Sequence, residues 1–334
     1  MIDISAIEAA AGRLEGVAVR TPLIRNDELD RVAGGPVLVK AENLQAIGSF
    51  KIRGAYNLMS QLAAAEAERG VVAFSSGNHA QGVALAGRLL GIHAAIVMPE
   101  DAPRSKIEST RRLGGEVIAY DRYTGDREAI ARNIAAERGA ALVPSYDHEA
   151  IIAGQGTVGL EIAEQALGMR MPPDQVLINC GGGGLSAGSA IALKAKLQDV
   201  SVRTVEPVEF DDTARSIAAG ERLSVAAGAR SICDSLLASE PGKLPFEIHR
   251  RLFDAGLSVS DREVRDAMRF AFQHLKMVVE PGGAVSLAAV LSGKTGTAGK
   301  TTAIVISGGN VDLEQFAAIQ ASADQDLARR YRGR

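Results

Sequence analysis

The chain has 334 residues, 46% of them apolar and 23% charged, with a net charge of −3. That composition is ordinary for a globular protein with ample core, and the charge balance leaves no electrostatic footprint for nucleic acid. No apolar run reaches the ~18 residues of a membrane span, no signal peptide is visible at Met1-Ile2-Asp3-Ile4, and Cys180 and Cys233 form no CxxC pair. A cytoplasmic protein without disulfides is expected, with no nucleic-acid or membrane partner.

In chain order, a helix is expected over 5–14 and an extended segment at Thr21-Pro22-Leu23. Apolar strand runs then alternate with amphipathic stretches. Strands are expected at 71–74, 94–98, 116–120, 141–143, 175–178, 202–206 and 302–306. Helices are expected at 78–90, 103–113, 126–138, 151–167, 185–197 and 264–275. Continuous apolar strands between helices indicate an α/β fold whose parallel sheets are covered on both faces. Ligands in such sheets bind beyond the carboxyl ends of strands.

Four stretches could carry chemistry. Lys51, in Ser49-Phe50-Lys51-Ile52-Arg53-Gly54, lies past the apolar run 36–40 and opens an amphipathic stretch. It is either a solvated lysine or an amine desolvated into a nucleophile toward a carbonyl. Ser75-Ser76-Gly77-Asn78-His79 starts a helix, where its side chains cap it or its free N–H groups seat a carboxylate. Gly181, Gly182, Gly183 and Gly184 let the backbone approach a ligand and aim N–H groups at a phosphate. Ser307-Gly308-Gly309-Asn310 places a hydroxyl at a strand end, as a cap or against the polar edge of a cofactor ring.

A rival reading uses Gly182, Gly184 and Ala187 as G-x-G-x-x-A with Glu206 ending the next strand, an NAD-dependent oxidoreductase. The remaining histidines, His93, His148, His249 and His274, are read as structural or surface residues.

Those four motifs in one order, with Ala153-Gly154-Gln155-Gly156-Thr157 and Glu280-Pro281, resemble the threonine/serine dehydratase and serine racemase family. These are fold type II pyridoxal-phosphate enzymes, similar to the tryptophan synthase β subunit. The resemblance runs from about Thr21 to Val311. It implies a larger cofactor-binding domain from 1–65 and 146–322, a smaller mobile domain over 66–145, a tail over 323–334, and a homodimer. It also implies that no C-terminal regulatory domain is present.

By the same resemblance, Lys51 carries pyridoxal 5'-phosphate as a Schiff base, with Phe50 beside the ring. Gly181, Gly182, Gly183, Gly184 and Leu185 hold the phosphate, Asn78 the phenolic oxygen and Ser307 the pyridine nitrogen. Ser75, Ser76, Asn78 and His79 cradle the substrate carboxylate, with Arg127 as an added cation. Ser76 is the opposite-face acid/base. Glu206, the Phe210 carbonyl and Asp212 correspond to a divalent-metal site for Mg²⁺, or Ca²⁺ or Mn²⁺.

The implied activity is an ammonia-lyase (dehydratase) turning threonine, serine or 3-hydroxyaspartate into a 2-oxo acid and ammonia. The alternatives on the same scaffold are a serine- or aspartate-type racemase and a dehydratase of a solute such as hydroxyectoine. Two departures bear on substrate: Cys233-Asp234-Ser235 replaces the family's Ala-Asp-Gly near the ring, and Tyr146 stands where relatives carry Phe or Asn.

Overall fold

The computed structural model describes residues 2–102, 104–121 and 123–321. The tail expected over 323–334 lies outside the described residues.

Ten strands form two sheets. They are β1 (Leu23–Arg25), β2 (Val37–Ala41), β3 (Val71–Phe74), β4 (Ala94–Pro99), β5 (Glu116–Tyr120), β6 (Ala141–Leu142), β7 (Gln175–Asn179), β8 (Ser201–Pro207), β9 (Ala255–Val259) and β10 (Thr302–Ile306). The larger sheet runs β1-β2-β10-β7-β8-β9 and the smaller β5-β4-β3-β6. Every pairing is parallel except β1 against β2. The fully buried β7 and β10, each with an apolar centre, lie at the middle of the larger sheet.

The expected helices form with small shifts. Helix Glu149–Gly168 begins before position 151 because His148 caps it, accepting from the Ala150 amide. The expected helix over 264–275 instead starts at Asp261, held by a capping box between Ser260 and Glu263, and changes to a π-turn over Ala271–Leu275. Between β8 and that helix lie helices Asp212–Ala219 and Lys243–Leu252 and strand β9, none of which was expected from the sequence.

The glycines of Ala153–Thr157 serve packing. A Cβ on Gly154 would lie 2.4 Å from the Arg53 carbonyl, and one on Gly156 would lie 2.8 Å from the Gly188 backbone. Helix Glu149–Gly168 thus crosses its neighbours backbone to backbone. Arg53, two residues past Lys51, is buried rather than solvated. It chelates Glu42 with Nε and Nη2, each at 2.8 Å, and reaches Glu161 at 2.7 Å. Lys40, which ends the apolar run, is also buried on Glu161 and the Thr21 carbonyl.

Among the described residues no helix is long and apolar enough to cross a membrane.

Candidate active site

Lys51 is the first residue of helix Lys51–Met59. Its place is pinned from the other end of the chain. The Phe50 amide donates to the Ser307 carbonyl at 3.3 Å, and Ser49 bridges Gly308. Lys51 Nζ donates to the Ser145 carbonyl at 2.9 Å and lies 5.1 Å from the Phe50 ring centroid. Burial pulls the Lys51 pKa down to about 8, against the opposing pull of the Glu280 carboxylate. An amine with that pKa keeps a far larger neutral fraction near physiological pH than an ordinary lysine, and the neutral form is the nucleophile or base.

Ser75–His79 joins β3 to helix Asn78–Leu90. The capping alternative does not hold: the N-cap is Gly77, with no side-chain cap bond, and Ser75 Oγ instead accepts from the Gly77 amide. The helix terminus therefore presents uncapped N–H groups, which favour an anion. His79 is buried with Nε2 on the Val143 carbonyl at 2.9 Å, and burial, with the nearby Lys51 charge, lowers its pKa to about 3. It is a neutral imidazole.

Gly181–Gly184 leads from β7 into helix Gly184–Lys196. Tyr146 lies flat against it: a Cβ on Gly182 would sit 2.3 Å from Tyr146 Cδ1. Gly183 has a φ of +96° and starts the helix, a conformation that favours glycine. The Gly182 carbonyl accepts from Gly242, and Asp147 caps the amides of Lys243 and Leu244. The loop bearing Tyr146 is thereby anchored to the glycine turn.

Ser307, buried at the end of β10, meets a residue that the sequence reading missed. Asn179 ends β7, with its Oδ1 facing the Ser286 amide and hydroxyl and its Nδ2 donating to Ser307 Oγ at 3.0 Å. That orientation makes Ser307 Oγ an acceptor on the Asn179 side and leaves its hydrogen for a ring nitrogen. Ser307 and Gly308 do not open a helix at once; the next helix begins at Leu313. Asn310 instead donates to the Ile47 carbonyl and to Asn78 Oδ1, at 2.8 and 2.7 Å.

Glu280, noted in the sequence only beside Pro281, is the other missed group. It is buried, and it accepts from Asn78 Nδ2 at 2.7 Å. Its pKa is pushed up to about 8 by burial and the Asp234 charge, against hydrogen bonds from Asn78 and Ser235. Ser235 is exposed by comparison and closes over Gly282. Arg127 opens helix Arg127–Arg138, its guanidinium 5.7 Å from the Phe74 ring, and its charge reaches the Tyr146 phenol.

Glu206 and Asp212 lie apart from these groups. Glu206 is buried, with one carboxylate oxygen accepting from the Thr213 amide and the other from Ala214. Burial and the nearby Asp212 charge raise its pKa well above the usual range. Asp212 is pushed up to about 7 by burial, and its Oδ2 has no hydrogen-bond partner. Two buried carboxylates with a spare oxygen suit a hard cation. Among the described residues no three His, Cys, Asp or Glu side chains converge, so main-chain and water oxygens would have to complete the shell. Each Glu206 oxygen already accepts one main-chain amide of helix Asp212–Ala219, so the unpartnered oxygen of the pair is Asp212 Oδ2.

Residues 14–308 match the family described as "Pyridoxal-phosphate dependent enzyme". The chain belongs to that family. It is 45% identical to an L-threo-3-hydroxyaspartate ammonia-lyase of a Pseudomonas species over 310 residues, 93% of this chain and 96% of that protein. It is 38% identical to the catabolic L-threonine dehydratase of Escherichia coli, covering 97% of each. The structure of maize serine racemase superposes with a TM-score of 0.89 at 36% identity, covering 98% of each chain. The fold is thus the two-sheet α/β fold of type II pyridoxal-phosphate enzymes. The family member is a pyridoxal-phosphate-dependent lyase by its similarity to these ammonia-lyases.

Proposed function

We propose that this family member eliminates water and ammonia from a small β-hydroxy α-amino acid with a second carboxylate, of the 3-hydroxyaspartate type. The observation that carries the reading is Lys51, with a pKa near 8, set beside a glycine turn, an uncapped helix terminus and Ser307. Pyridoxal phosphate, when bound, supplies an electron sink that acidifies the substrate α-carbon. The residues fit it: Gly181–Gly184 and Leu185 offer a phosphate seat at a helix terminus with no side-chain cap, and Ser307 has a hydrogen to donate without being an acid. Asn78 keeps one amide hydrogen beyond its bond to Glu280 for a phenolic oxygen.

The chain's own groups then divide the work. Lys51 Nζ holds the cofactor and removes the α-proton. Ser75, Ser76, Asn78 and His79 seat the α-carboxylate at the helix terminus. Arg127 and Tyr146, across the same opening, take the second carboxylate, and Ser235 borders the ring through Glu280. The neighbouring 3-hydroxyaspartate enzyme of Pseudomonas supports that substrate class. We further propose residues 66–145 as a mobile smaller domain that excludes water on closing, a cytoplasmic homodimer, and a Mg²⁺-type cation on Glu206, Asp212 and the Phe210 carbonyl.

One observation favours a second activity. Ser76 makes no side-chain hydrogen bond among the described residues. A hydroxyl on the substrate face opposite Lys51 would give its own proton to the α-carbon after Lys51 has taken the first, giving racemisation.

The test is the purified full chain loaded with pyridoxal phosphate. A visible absorbance band lost in Lys51→Ala is expected, with 2-oxo acid and ammonia formed fastest from a 3-hydroxyaspartate diastereomer. Arg127→Ala should raise KM for that substrate by about tenfold and leave threonine nearly unchanged. A colourless protein, or equal losses on both substrates, would sink the respective part. Chiral analysis of unreacted serine reads out the racemase.

A further inference from the structure

Beneath the glycine turn lies a buried polar group that the reaction leaves unused. His249, on helix Lys243–Leu252, is fully buried, with Nε2 2.8 Å from Ser186 Oγ. Ser186 Oγ in turn donates to the Gly183 carbonyl at 3.0 Å, a shorter contact than its 3.4 Å to Cys180 Sγ. The imidazole also presses on Gly183 itself. A Cβ there would lie 2.6 Å from His249 Cε1 and 2.7 Å from Pro245 Cβ. On its other side the ring packs edge-on against Phe253, at 4.7 Å and 80°.

We infer that His249 is a positioning residue for the cofactor phosphate, acting through Ser186 on the Gly183 peptide. Nδ1 has no hydrogen-bond partner and is buried. Burial lowers the His249 pKa to about 3, so the ring is neutral and carries one N–H. If that hydrogen sat on Nδ1, a buried donor would be left unmade, at the full desolvation cost. On Nε2 it is donated to Ser186 Oγ, whose own hydrogen passes on to Gly183 O. The Gly183 carbonyl also accepts from the Ala187 amide at 2.9 Å. Held from beneath by both donors, this carbonyl dipole points away from the turn's open side. The N–H groups that follow, at Gly184 and Leu185, are left to face an anion there.

The inference rests on the glycine turn being the phosphate seat. The apo form of the full chain, titrated with pyridoxal phosphate and followed by its visible band and by the ³¹P resonance of the bound cofactor, tests it. His249→Leu and Ser186→Ala should each weaken cofactor binding by about tenfold and shift the ³¹P resonance. The kcat at saturating cofactor should stay within about twofold. His249→Gln, whose amide N–H can reach Ser186, should recover most of the affinity. Unchanged affinity and ³¹P resonance in His249→Leu would overturn the inference and make the ring mere packing. If that variant does not fold, the smaller change Ser186→Ala decides by the same readouts. Failure of the underlying reading shows in wild type instead: there the protein would bind pyridoxal as tightly as pyridoxal phosphate, which sinks both.

Discussion

Asn78 Nδ2 donates to Glu280 Oε1 at 2.7 Å, joining the helix terminus beyond β3 to a carboxyl group on the far side of the site. Glu280 and Lys51 both have pKa values brought to about 8, one upward by burial and one downward. The Glu280 charge favours the Lys51 ammonium, so the two titrate as a pair. Glu280→Gln removes that support while keeping an oxygen for Asn78. The Lys51 pKa should then fall, and capture of pyridoxal phosphate by the apo protein should reach half its maximal rate about one pH unit lower. Rapid-mixing absorbance between pH 6 and 9 measures it. A midpoint that does not move would show that Glu280 acts only on Asn78.

Gly182 and Tyr146 share one volume. Alanine at 182 would put a methyl carbon 2.3–2.4 Å from three atoms of the Tyr146 ring, so the ring must leave. Over-packing of that kind costs about 1–3 kcal/mol. Gly182→Ala should weaken cofactor binding by about tenfold, and adding Tyr146→Ala should recover much of it, since the second change removes the clash. Titration of the three proteins with pyridoxal phosphate reports the coupling. Purely additive losses would mean that the methyl group blocks the phosphate directly.

Arg53 tests the frame rather than the chemistry. It is buried with Glu42 on one side and Glu161 on the other. Arg53→Met would strand the Glu42 carboxylate in the interior and leave Glu161 to Lys40 alone, at a cost of about 3–5 kcal/mol. Urea denaturation of the apo protein should show that loss. A variant destabilised by less than about 1 kcal/mol would mean that the carboxylates take up protons or reach water at little cost.

How much of this was legible in the sequence depends on what kind of information each feature needs. The buried strands β3, β4, β7 and β10 announce themselves as apolar runs, because burial on both faces removes the polar alternation. Their order across the sheet does not: β2 pairs with β10 over more than 260 positions of chain, and periodicity carries no partner. Lys51, Ser307 and the glycine run were readable because each sits at a strand end in a short motif. Asn179 lies between the strand expected at 175–178 and Cys180, in no motif; its meaning comes only from Ser307 and Ser286, brought in from more than 100 positions away. His249 was read as structural or surface because one histidine among charged residues gives no period. Burial under Gly183 comes from the tertiary fold alone.

His249 also sets a pH dependence whose sign is fixed. In the fold its pKa is about 3, below the ordinary 6.5 of the unfolded chain. Below pH 6.5 the unfolded state therefore binds a proton that the folded state refuses, and stability falls as the pH drops toward 3. The slope is about 1.4 kcal/mol per pH unit for one such group. His79, lowered to about 3, acts in the same direction. Glu280, raised to about 8, acts in the opposite one between the unfolded carboxyl range and pH 8, so the wild-type profile alone mixes the signs. The difference between wild type and His249→Leu isolates the histidine. Urea denaturation of the two apo proteins at pH 6.5, 5.5 and 4.5 should show the gap in unfolding free energy shift by about 1.4 kcal/mol per unit in favour of the leucine variant. Parallel profiles would mean that the imidazole is protonated in the fold, and the Nε2–H donor assigned to Ser186 would then carry a charge.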